Sequence, residues 1–140
     1  MGAGEVSARF RNSHLRDCVV LVDDEANIRE TIAFILDAEG VEVATAADGI
    51  EGLAAVRRLK PKVVLLDVMM PRMDGYEVCR TIRQDVNLIG TYIIILTAKG
   101  QRSDEQKALE VGADLYLSKP FDDEVVLKVI GEVFAGLPLD

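Results

Sequence analysis

The chain has no tryptophan, one histidine, two cysteines and no apolar run long enough to cross a bilayer. Each scarcity excludes something. The single histidine, His14, lies near the N-terminus, so the rest of the chain offers no histidine as general base, metal ligand or phosphoacceptor. Cys18 and Cys79 are far apart and form neither a C-x-x-C pair nor a metal-ligand spacing, which removes a thiolate metal site and a disulfide framework. Both read as small buried apolar residues, which fits a reducing, cytoplasmic setting. Residues 1–17 lack a continuous apolar stretch, so they are neither a secretory signal nor a membrane span. They read as a disordered tail or leader, residues 18–136 as one domain, and 137–140 as a C-terminal tail. The net charge is −8 with no basic stripe, which argues against direct nucleic-acid binding by this domain.

With 49% apolar and 29% charged residues, the 140-residue chain has enough apolar content for one full core without disulfides. From residue 18 a pattern repeats five times: an apolar strand, a polar turn and an amphipathic helix. The strands are expected at Cys18–Val22, Val41–Ala46, Val63–Leu66, Tyr92–Leu96 and Leu115–Leu117, and the helices at about 26–38, 49–59, 75–84, 102–111 and 123–135. Such alternation predicts a parallel sheet with helices on both faces. The first, third and fourth strands are unbroken apolar runs, hence central. Val41–Ala46 is interrupted by Glu42 and Thr45, and Leu115–Leu117 is short, so both read as edges. The order 2-1-3-4-5 follows: a doubly wound, flavodoxin-like (βα)5 fold of the α/β class.

The helices carry apolar stripes: Ile28, Ile32, Ile35 and Leu36 on the first, and Val125, Val126, Val129, Ile130 and Val133 on the fifth. Leu127 and Phe134 lie off the latter stripe. They belong either to a broad core face or to a partner surface. Asp74, three residues before Glu77, has the spacing of a helix N-cap box.

Polar residues gather at the carboxyl ends of the strands, the rim where open α/β sheets bind ligands. Asp23, Asp24 and Glu25 follow the first strand, Asp67 the third, Thr97 the fourth, and Ser118, Lys119 and Pro120 the fifth. Asp23, Asp24 and Asp67 should converge, because the first and third strands are neighbours. Three carboxylates in one crevice stay ionised only with compensating charge, and an all-oxygen set suits Mg²⁺. Either Asp23 or Asp24 alone also reads as a cap of the first helix. Lys119 is placed to hold a carboxylate or a phosphoryl oxygen.

Four blocks carry a family likeness: VLVDDE (20–25), VVLLDVMMPRMDG (63–75), IIILTAK (93–99) and GADLYLSKPF (112–121). In this order and approximate spacing the chain resembles the receiver domains of response regulators over about residues 18–135. The resemblance implies that Asp67 accepts a phosphoryl group from the phosphohistidine of a sensor histidine kinase or phosphotransfer protein. It implies Mg²⁺, replaceable by Mn²⁺, held by Asp24 directly, by Asp23 largely through water, by Asp67 and by the backbone carbonyl of Met69. It implies Thr97 as switch hydroxyl, Tyr116 as switch aromatic, Lys119 as phosphoryl partner and a cis Lys119–Pro120 peptide. The signal would pass through the face of the fourth helix, fifth strand and fifth helix to a downstream target or an output domain, with no membrane contact.

The resemblance implies no enzyme acting on outside substrates, only self-phosphorylation and self-dephosphorylation. Met69 and Lys99 would flank the phosphoryl group and favour a slow loss of it. A haloacid-dehalogenase-like phosphatase would need an aspartate where Met69 stands, and no G-x-G-x-x-G or P-loop follows the first strand. The alternative that stays open is a phosphorylation-independent, receiver-like interaction module. The stretch reads either as a stand-alone regulator or as the receiver of a longer protein.

Overall fold

The structure, a computed structural model, describes residues 14–98 and 102–136. Residues 1–13 of the tail expected over 1–17, the residues 137–140 and Lys99 lie outside the described residues. Five parallel strands form one sheet, β1 (Arg16–Val22), β2 (Glu42–Ala46), β3 (Pro61–Asp67), β4 (Tyr92–Thr97) and β5 (Leu115–Ser118), in the order β2-β1-β3-β4-β5. The helices are α1 (Ala26–Ala38), α2 (Gly49–Leu59), α3 (Gly75–Gln84), α4 (Arg102–Glu110) and α5 (Asp123–Phe134), with a short 3₁₀ turn at Val86–Leu88. This is the flavodoxin-like (βα)5 arrangement expected from the alternation.

The central strands are apolar on both faces because both are covered. Val20, Val22, Val64, Leu66, Ile93 and Ile95 face a cluster completed by Val56 of α2, Val78 and Ile82 of α3 and Ala108 of α4. Their neighbours Val19, Leu21, Val63, Leu65, Ile94 and Leu96 face a second cluster with Ile32 and Leu36 of α1 and Val126 and Ile130 of α5. Each fully buried aliphatic side chain contributes roughly 1.5–3 kcal/mol. Cys18 and Cys79 are buried and unpaired, as read from sequence. Burial pushes the Cys79 thiol up to about 11, which keeps it protonated.

β3 begins at Pro61, two residues before the expected start, the other strand ends apart from the start of β1 shift by no more than a residue, and two further details differ from the sequence pattern. The first strand begins at Arg16, ahead of the apolar run, because the Arg16 backbone pairs beside Pro61 and donates to the Lys60 carbonyl at 2.8 Å. Leu15 is buried and His14 lies 2.8 Å from the Asn87 carbonyl through Nε2. On α5, Val125 leaves the core stripe and is 41% exposed, whereas Leu127 and Phe134 pack against the second cluster. The broad core face is therefore the correct description of that helix.

The fold makes a crevice at the carboxyl rim. After β1 the chain turns to α1 on one face, and after β3 it turns to α3 on the other. The two loops diverge and leave space between them.

Candidate functional site

Asp67 is the last residue of β3 and pairs in register with Leu96 of β4. The next amide, Val68, donates to the Leu96 carbonyl at 3.2 Å, so the sheet sets the position of the Asp67 backbone. The chain then leaves the sheet tightly: Gly75 N–H donates to the Val68 carbonyl at 2.9 Å, and a Cβ at Gly75 would overlap the Asp67 carbonyl. Only glycine fits there. Asp74 caps α3, its Oδ1 accepting from the Glu77 amide at 2.9 Å.

Asp23 is wholly buried and Asp67 is 4% exposed. Lys119 joins them: its Nζ donates to Asp23 Oδ2 at 2.8 Å and to Asp67 Oδ1 at 3.3 Å. Glu25 Oε1 approaches the same ammonium at 3.6 Å. Neither Asp23 nor Asp24 caps α1, since the N-cap is Glu25, without a side-chain hydrogen bond. Asp23 Oδ1 instead accepts from the Glu25 amide at 2.9 Å, which fixes the turn. Carboxylate oxygens of Asp23, Asp24 and Glu25 lie within 4.8 Å of one another. Asp24 and Glu25 are exposed. Sequence reasoning placed Glu25 on the rim without a role; its spacing in the D-D-E triplet was the only signal.

Lys119 is held by the sheet. Thr97 and Ser118 pair in register, and the Lys119 amide donates to the Thr97 carbonyl at 2.6 Å. The Thr97 side chain is buried at the end of β4. The Lys119–Pro120 peptide is cis. Tyr116 is half-buried and packs against the cluster under α3 and α4. The Met69 side chain is 76% exposed.

One ammonium serves several carboxylates, and the balance shows in the acid–base properties. Burial, then the Asp23 charge, push the Asp67 carboxyl up to about 6, and Lys119 only partly offsets them. For Lys119 burial alone pulls downward, but the Asp23 hydrogen bond and the charges of Asp67 and Asp23 outweigh it, and the ammonium is held above its ordinary value. The site is thus short of positive charge. Its donors are all oxygens, which suits a hard divalent cation of the Mg²⁺ kind and not a thiophilic metal.

Residues 19–131 match the response regulator receiver domain family. The chain is 43% identical over 116 residues to the DNA-binding response regulator MtrA of Mycolicibacterium paratuberculosis, covering 82% of this chain and 50% of that protein. It therefore spans about half the length of such curated relatives. It is 38% identical over 120 residues to Protein PilG of Pseudomonas aeruginosa, covering 86% of this chain and 87% of that one. Among solved structures, the chemotaxis protein CheY4 of Vibrio cholerae superposes with a TM-score of 0.76 at 37% identity, over 82% of this chain and 96% of that one.

Proposed function

Because the chain belongs to the response regulator receiver domain family of two-component signalling, we propose that it is a phosphorylation-switched receiver whose Asp67 takes a phosphoryl group from the phosphohistidine of a sensor histidine kinase or phosphotransfer protein. One observation carries this reading: the Lys119 ammonium bridges Asp67 and Asp23 in a buried crevice at the strand ends. A buried carboxylate beside a fixed ammonium is a positioned nucleophile with its charge stabiliser already in place. In the cation-free site Asp67 is ionised above pH of about 6, and a bound divalent cation favours the ionised form further.

In the transfer, an Asp67 oxygen forms the new bond to phosphorus while the nitrogen–phosphorus bond of phosphohistidine breaks. The imidazole leaves with the electron pair and takes up a proton. Lys119 stays in place and shares its charge with the transferring oxygens. Asp23, Asp24, Asp67 and the Met69 carbonyl are the groups that would hold Mg²⁺, with Mn²⁺ as substitute. Bound there, the cation supplies charge neutralisation that one ammonium cannot. The burial-raised Asp67 and the oxygen cluster support this fit.

The aspartyl phosphate brings close to two negative charges and several acceptor oxygens. Thr97, at the end of β4, is the hydroxyl placed to answer it. Tyr116, on β5, is the aromatic whose half-buried setting suits a change of position. The response then reaches a downstream target or an output domain through the α4–β5–α5 face. Among the described residues no helix is long and apolar enough to cross a membrane. Labelling with acetyl phosphate in Mg²⁺ tests the reading. The wild type is expected to label to one equivalent and Asp67→Asn to lose labelling. Full labelling of Asp67→Asn would refute the acceptor, and absence of labelling in the wild type would leave a phosphorylation-independent module.

A further inference from the structure

The loop from Val68 to Asp74 follows Asp67 and supplies the Met69 carbonyl, yet it has few internal hydrogen bonds. Those seen are Met73 N–H to the Pro71 carbonyl at 2.8 Å and the closing Gly75 to Val68 bond. Val68, Met70 and Met73 also pack against the core cluster, and a further restraint comes from a different element, the start of α2. The Asp48 side chain is 8% exposed, and its Oδ2 lies 3.3 Å from Nη2 of Arg72. The second oxygen, Oδ1, caps α2 by accepting from the Glu51 amide at 2.8 Å. A Cβ at Gly49 would overlap the Met73 carbonyl, so loop and helix start are in backbone contact. Arg72 holds a left-handed conformation, φ 69°, uncommon for a residue with a side chain.

We propose that the Asp48–Arg72 pair is a positioning clasp: it fixes the loop after Asp67 against the start of α2 and so presents the Met69 carbonyl to the cation of the phosphorylation site. This deepens the receiver reading above and rests on it. Arg72 and Asp48 touch neither phosphate nor cation; they act through the loop backbone.

Simple electrostatics and the clasp predict different signs, which makes the test decisive. Removing a nearby positive charge should tighten cation binding if Arg72 acts only through its field. Removing the clasp should weaken binding although a positive charge is lost. Arg72→Asn suits the test because asparagine tolerates the left-handed conformation. Asp48→Asn retains a good N-cap residue for α2. Arg72 is 64% exposed at its side chain, and the buried Asp48 keeps its capping oxygen as asparagine, so neither change is expected to unfold the protein.

The experiment is a titration of Mg²⁺ alone into wild type, Arg72→Asn, Asp48→Asn and the double variant, followed by calorimetry, with thermal melts in EDTA alongside. Each single variant is expected to bind between about threefold and tenfold more weakly, as for loss of a partner that orients a ligand. The double variant is expected to bind no more weakly than the weaker single, and the EDTA melts to stay close to wild type. Unchanged or tighter Mg²⁺ binding by Arg72→Asn would overturn the clasp. So would additive losses in the double variant. Wild type that binds no Mg²⁺, or Asp67→Asn that binds as tightly as wild type, would overturn the receiver reading of the site instead.

Discussion

Asp67→Asn should make the metal-free protein more stable at neutral pH. The carboxyl sits at about 6 in the folded protein, against an ordinary 3.8, with burial the first cause and Asp23 the second. The folded state therefore binds this proton more tightly than the unfolded chain does. Stability falls as pH rises through the window from 3.8 to about 6, and the penalty is complete above it. At about 1.4 kcal/mol per pH unit the penalty is roughly 3 kcal/mol. The residue is 4% exposed, so solvent does little to screen it.

Asparagine removes the buried charge and keeps an oxygen that can accept from Lys119. The ammonium also retains Asp23 at 2.8 Å. A lost charge-assisted bond offsets part of the gain, leaving a net stabilisation of about 1–3 kcal/mol. For a chain of this size that raises Tm by about 3–9 °C. The chain lacks tryptophan, so far-ultraviolet circular dichroism is the suitable probe. Melts in EDTA at several pH values between 4 and 8 should show the variant above wild type at pH 7.5 and the gap closing toward pH 4. Saturating Mg²⁺ should raise the wild type and leave the variant nearly unmoved. A variant that melts at or below wild type at pH 7.5, or a gap that ignores pH, would refute the charge imbalance.

Asp24→Ala should weaken Mg²⁺ binding by about tenfold or more, since Asp24 is proposed as a direct ligand and such a ligand matters at least as much as the partners that orient one; equal affinity by calorimetry would remove Asp24 from the ligand set. Replacing Leu127 or Phe134 by serine should cost about 1–3 kcal/mol each by chemical denaturation, because both side chains pack on the core; unchanged stability would return them to a partner surface.

Much of the architecture could be read from period and run length. β1, β3 and β4 are buried on two faces, and that demand writes an unbroken run of valine, isoleucine and leucine into the sequence. β2 and β5 lie at the edges, where the polar interruptions at Glu42 and Thr45 are tolerated. The beginning of β1 was not legible, because Arg16 enters the sheet through its backbone while its side chain is exposed and pairs with Glu42 at 3.3 Å. Val125 was misplaced for a related reason. The sequence of α5 is so rich in apolar residues that periodicity alone does not choose which of them turns outward.

The site divides in the same way. Asp23, Asp67 and Lys119 were legible as a group because each closes a strand, and a parallel sheet brings strand ends to one rim whatever lies between them. What orients them was not legible. Asp48 looks like an ordinary helix cap and Arg72 like a solvated loop residue until the fold places them 3.3 Å apart. Arg83 is similar: its guanidinium donates to the carbonyls of Gly112 and Thr91, each at 2.7 Å, and to Asp114, tying the end of α3 to the strands at the opposite rim. In both cases the partners come from separate elements and the contact is to backbone or to a single carboxylate, so no local spacing encodes it. Strand-end position thus writes the chemical groups of this site into the sequence, whereas the contacts that aim them arise only from how the helices and loops close over the sheet.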